Sequence, residues 1–141
     1  MPKTMAYRIT GEVMVLRHAD AAPDPKDWDA FIEAFVHAPV GKLLVWSPGM
    51  ASPDSAQRAS AVAAFRSKGE RFRASIMTGS RLARGAATAI SWFGPKLHGF
   101  GLDDLSGALD YLEVATNTRA ALQATVEALG DEVTTSDSQV G

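Results

Sequence analysis

Lys42-Leu43-Leu44-Val45-Trp46, then Ser47-Pro48-Gly49-Met50-Ala51, then Ser52-Pro53-Asp54, is the stretch that decides the fold class. Lys42 leads a continuous apolar run of strand length, the pattern of a central strand covered on both faces. Ser47–Ala51 reads as a loop. Ser52-Pro53-Asp54 carries a helix-start signature, with Ser52 as N-cap, Pro53 at the first helical position and an acid in the first turn. A strand feeding a helix through a short loop is half of a β-α-β unit, and the sequence on either side repeats that unit.

Upstream, Tyr7-Arg8-Ile9-Thr10 and Val13-Met14-Val15-Leu16-Arg17 are β-like runs separated by Gly11-Glu12, which predicts a two-residue hairpin. Asp20 to Pro25 reads as a loop. Trp28, Phe31, Ile32 and Phe35 recur at helical spacing and predict a helix over 26–37, with Asp24, Asp27 and Asp29 at its positive end. Downstream of Asp54 the helix runs to Ser67 and stops before Gly69. Arg71–Met77 is the next strand. Thr78-Gly79-Ser80 turns into a helix over 81–93, whose face of small residues includes Ala83, Ala86 and Ala87. Lys96–Phe100 is a last strand. Asp103 or Asp104 caps a helix carrying Leu105, Ala108, Leu109 and Leu112. Asn117 opens a further helix with Leu122, Val126 and Leu129, closed by Gly130.

Strands alternating with helices predict an α/β fold: a single domain with a mixed, mostly parallel sheet of about five strands flanked by helices and opened by a β-hairpin. The 141 residues fit one domain over 1–133, followed by a polar tail over 134–141 that is expected to be disordered. There is no cysteine, which excludes disulfides, thiol nucleophiles and thiolate metal sites. A net charge of −2 gives no global reason to bind nucleic acid. No apolar run approaches the ~20 residues of a membrane span. Arg8 and Glu12 interrupt any apolar signal core, so the expected setting is cytoplasmic.

The order of elements resembles the STAS fold. Within it the chain is similar to anti-sigma-factor antagonists, in a branch also described as similar to lipid-carrier domains of the Sec14 type. The residues that carry the likeness are Phe100, Asp103-Asp104 and Ala108-Leu109-Asp110-Tyr111-Leu112, which fill the places of a terminal strand, an acidic turn and an Ala-Leu-x-aromatic-Leu helix. The resemblance covers residues 6–115. It implies a non-enzymatic regulatory or protein-interaction module, working as a homodimer or with a regulatory protein partner. The family's Asp-Ser-x-Gly phosphorylation motif finds only Asp54-Ser55 here, followed by Ala56-Gln57-Arg58. The missing glycine argues against kinase-regulated sigma-factor control.

Ser52 and Ser55 are the phosphoacceptor candidates, at a helix N-terminus where added negative charge is welcome. Capping accounts equally for both. Thr78, Gly79, Ser80, Arg81 and Arg84 are the ligand-binding candidates: backbone N–H groups at a helix start beside arginines suit a small anionic or lipid-like ligand. From Arg58 to Arg84 seven basic residues face one acid, whereas from Asp103 onward eight acids face Arg119 alone. Such asymmetry marks either a partner surface or two regions facing each other. His18, His37 and His98 are not spaced as a helical metal pair, and no nucleotide loop or serine elbow occurs. No cofactor, metal or catalytic residue is expected.

Overall fold

Gly11 has φ +61, the left-handed conformation that a two-residue hairpin turn demands and that only glycine adopts freely. It joins β1 (Met5–Thr10) to β2 (Val13–His18) in antiparallel register, Thr10 opposite Val13. The computed structural model describes residues 4–48, 53–81, 84–85 and 96–138. Among these, β3 (Lys42–Ser47), β4 (Arg73–Thr78) and β5 (Lys96–Phe100) complete a five-stranded sheet. Its order is β1-β2-β3-β4-β5, and every step after the hairpin is parallel. The predicted α/β class, the hairpin and the mostly parallel sheet are all present.

Helices α1 (Pro25–His37) and α2 (Ser55–Ser67) lie on one face. Their Phe31, Phe35 and Phe65 pack with Phe72 against Leu43, Val45, Ala74 and Leu97 of the sheet. Phe35 meets Phe65 and Phe72 edge-on at 5.7 and 5.4 Å, the arrangement that aromatic quadrupoles favour. The crossover into β5 opens helically at Arg81, Arg84 and Gly85. It approaches the same face so closely that a Cβ on Gly99 would stand 2.6 Å from Arg84 Cα. The other face carries α3 (Leu105–Tyr111) and α4 (Arg119–Ser138), the latter entered through a 3-10 turn at Thr116–Thr118. Leu109, Leu112, Leu122, Val126 and Leu129 cover Val13, Val15, Leu44 and Met77 there. Leu43 and Leu44 are therefore buried on opposite faces, as a continuous apolar strand requires.

Three boundaries differ from expectation. The N-cap of α2 is Asp54, not Ser52, which lies outside the described residues. Asp54 accepts from Gln57 N at 2.7 Å while Gln57 Oε1 accepts from Asp54 N at 2.9 Å, a reciprocal capping box that satisfies two orphan N–H groups. Strand β4 begins at Arg73 rather than Arg71, although Phe72 is buried as predicted. Gly130 does not close the last helix: α4 runs on to Ser138, into the expected tail, and Gly130 lies buried within it. A Cβ at 130 would stand 2.5 Å from Arg17 Cζ, so the glycine serves packing, not termination. The predicted helix residues Leu82, Ala83, Ala86, Ala87 and Ile90, and the ring pair Trp92-Phe93, fall outside the described residues. The reassigned cap sets a test. Asp54→Ala should lower the unfolding free energy by about 1 kcal/mol in urea titration. Ser55→Ala, which breaks no cap bond, should stay within about 0.5 kcal/mol of the parent.

Candidate functional site

Parallel strands bring their carboxyl ends to one edge, where ligands of α/β sheets gather. Here that edge is polar on the α1–α2 face. Ser47 pairs in register with Thr78. Arg17 pairs with Trp46, so the next residues, His18 and Ser47, are also neighbours. His18, Ser47 and Thr78 thus form a row across β2, β3 and β4, and all three are buried. Adjacent members stand about 4.8 Å apart along the sheet.

Each hydroxyl in the row is satisfied locally. Ser47 Oγ donates to Pro48 O at 3.2 Å. Thr78 Oγ1 accepts from Ser80 N at 3.2 Å. The turn Thr78-Gly79-Ser80 therefore spends one of the N–H groups that the sequence offered to an anion. Arg81 is exposed at the start of the crossover helix. Arg84 Nη1 and Asp103 Oδ1 both lie against Gly101, and Arg84 is engaged within the molecule. Among the candidates, Thr78, Gly79, Ser80 and Arg81 are contiguous at the edge. Ser55 stands apart, exposed as the first residue of α2 beside the carboxylate of Asp54.

His18 is the member that sequence reasoning passed over. It stacks on Trp28 at 6.3 Å, whose indole N–H donates to Ser60 Oγ at 2.9 Å. Its Nδ1 is buried without a hydrogen-bond partner. Desolvation alone pushes its pKa down to about 4, so the imidazole is neutral at pH 7. Ser47 Oγ donates to Pro48 O rather than to His18, and among the described residues no carboxylate orients the ring, so these residues do not form a nucleophile–base–orienter chain. Among the described residues no three metal-ligating side chains converge. The signal for His18 was only its position, one residue past an apolar strand.

The sheet has a second distinctive edge. A two-residue hairpin makes Thr10–Val13 a hydrogen-bonded pair, so alternation turns the backbone of Ala6, Arg8 and Thr10 toward β2. The N–H and C=O groups of Tyr7 and Ile9 then point to the outer edge, where no described strand meets them. Their side chains are 37% and 46% exposed and share the face of β1 that carries buried Met5. Tyr7 rests edge-on against Phe31 at 5.6 Å. On the opposite face Arg8 pairs with Glu132 at 3.1 Å. The alternation of Tyr7 and Ile9 with Arg8 and Thr10 was readable in the sequence, but not that the polar side would face the long C-terminal helix.

The charge asymmetry is partly internal, because Arg73 reaches Glu113 at 3.5 Å and donates to Tyr111 O at 3.1 Å. No protein-family model matches the chain, and no curated protein matches it.

The buried imidazole gives a pH signature. In the unfolded chain His18 titrates near the ordinary value of about 6.5. Between about pH 6.5 and 4 the unfolded state holds a proton that the native state refuses, so stability is lost as the pH falls through that window. The expected loss is about 3 kcal/mol between pH 7 and pH 4. It is read as the difference in urea stability between the parent and His18→Leu. Equal pH slopes in the two proteins would refute it.

Proposed function

We propose that the chain is a non-enzymatic regulatory and protein-interaction module of the STAS type, acting in the cytoplasm as a homodimer joined along β1. The observation that carries the proposal is the outer edge of β1: unpaired backbone groups at Tyr7 and Ile9 with two exposed apolar side chains beside them. An open edge of this kind is a template for another strand, and proteins that do not use it guard it with lysine, proline or a bulge. The stretch Met5–Thr10 has no proline, its register is regular throughout, and its single charge, Arg8, lies on the opposite face from Tyr7 and Ile9 and is paired with Glu132.

A second copy fits this edge by symmetry. Antiparallel pairing about a two-fold axis sets Tyr7 opposite Ile9 of the second copy and extends the sheet across both molecules. The same register sets the two Arg8 side chains opposite each other, a pairing that is unfavourable when uncompensated. Glu132, 3.1 Å from Arg8, compensates each. Family resemblance supports the regulatory role. Among the described residues no helix is long and apolar enough to cross a membrane.

Sedimentation equilibrium of the full chain should show a dimer. Ile9→Pro removes an outward N–H at an edge position, where proline is tolerated, and Ile9→Lys adds the natural guard of an edge strand. Each should raise the dimer dissociation constant at least tenfold while circular dichroism stays unchanged. A parent that stays monomeric at every concentration would sink the proposal, as would a dimer unaffected by both substitutions.

A further inference from the structure

On the face opposite His18, the carboxyl edge carries a second row. Arg17 pairs in register with Trp46, Trp46 with Met77 and Met77 with Phe100, so one side chain from each of four strands lies side by side. Helix α4 packs against β1 and β2, and α3 against β4 and β5. Strand β3 therefore runs beneath the seam between the two helices. Lower in the seam Leu44 is fully buried, while at its upper end Trp46 is only partly covered. Phe100, Leu102 and Leu105 border the same end and are likewise half-buried.

A cation stands in this apolar setting. The Arg17 guanidinium lies over the Trp46 ring, its Cζ 3.8 Å from the centroid. Nη1 donates to Val126 O at 3.0 Å. Of the five N–H donors that arginine offers, no other finds an acceptor among the described residues, and Nε is buried without one. Arg17 takes part in none of the ion pairs among the described residues. Asp131 and Glu127 act on it only across space, against a burial that disfavours its charge. Half-buried, Arg17 thus keeps donors on its guanidinium for a further acceptor, and its buried Nε has none.

We propose that the seam over Trp46 binds a carboxylate bearing a short apolar chain, with the carboxylate on the unused donors of Arg17 and the chain along Trp46, Phe100, Leu102 and Leu105. The planar fork of arginine matches a carboxylate in two parallel hydrogen bonds, strengthened where water is excluded. The half-buried rings and leucines supply the apolar lining that fixes an amphiphile but not a bare inorganic ion. This site is separate from the turn at Thr78–Ser80, which lies on the other face of the sheet, and it does not depend on the dimer.

Isothermal titration of the full chain with decanoate, decanol and inorganic phosphate tests the assignment. Decanoate should bind, decanol at least tenfold more weakly, and phosphate at least tenfold more weakly. The Trp46 indole N–H resonance, assigned by its loss in Trp46→Phe, should move with decanoate. Arg17→Met keeps the length of the side chain and removes the charge. It should weaken decanoate at least tenfold while leaving the urea midpoint unchanged or higher, a result that a merely structural arginine would not give. Absence of decanoate binding, equal binding of decanol or of phosphate, or undiminished binding by Arg17→Met would each overturn the proposal.

Discussion

The right-handedness of the β-α-β crossover governs this molecule. A right-twisted strand returns to a parallel neighbour in one hand only, and from β2 to β5 each step moves to the next strand in the same direction. Crossovers that all step one way lie on one face. Helices α1 and α2 lie there, and the residues opening the third crossover press against Gly99 on that face too. Doubly wound sheets reverse direction and open a crevice at the reversal. The described strands of this sheet show no such reversal. The opposite face is left to the C-terminal segment. The seven residues of α3 and the longer α4 divide that face between its two ends, leaving a seam over β3.

Much of this was legible because it rests on period and punctuation. The apolar run Leu43-Leu44-Val45 suited a strand with cover on both sides, and Gly11-Glu12 between two β-like runs suited a tight turn. What escaped was the choice among competing local signals. Ser52-Pro53 and Asp54-x-x-Gln57 both begin a helix, and the second prevails because it satisfies two N–H groups at once. Gly130 read as a stop because glycine usually is one. Its actual reason, the guanidinium of Arg17 against its Cα, lies more than a hundred positions away in sequence. The same distance hid the candidate sites. Arg17 and His18 close a strand as a basic residue and an aromatic one, and their surroundings are set by Val126, Trp46 and Trp28, which no local pattern connects.

The two unsatisfied side chains are consecutive, and strand alternation sends them to opposite faces of one sheet edge. Each costs stability in its own way. The imidazole gives up its charge on burial, whereas the guanidinium keeps its charge and leans on an aromatic ring. Native proteins tolerate such expense chiefly where function needs it. The hydroxyls beside His18, by contrast, are spent on nearby backbone groups, so the two faces of this edge differ in what they offer a visitor.

The N-terminal hairpin has a further consequence, for the order in which the protein matures. Thr10 meets Thr125, and Arg8 meets Glu132. The apolar face of the first two strands, Ala6, Val13 and Val15, is closed by Leu122, Val126 and Leu129. The opening hairpin of the sheet is thus covered by a helix that follows it by more than a hundred residues. Throughout translation that hairpin presents a bare valine face together with an open strand edge, the combination that nascent chains most need shielded. The α1–α2 layer can assemble while the chain is still emerging. The second layer waits for the C-terminal helix, so a truncated product would carry a half-dressed sheet.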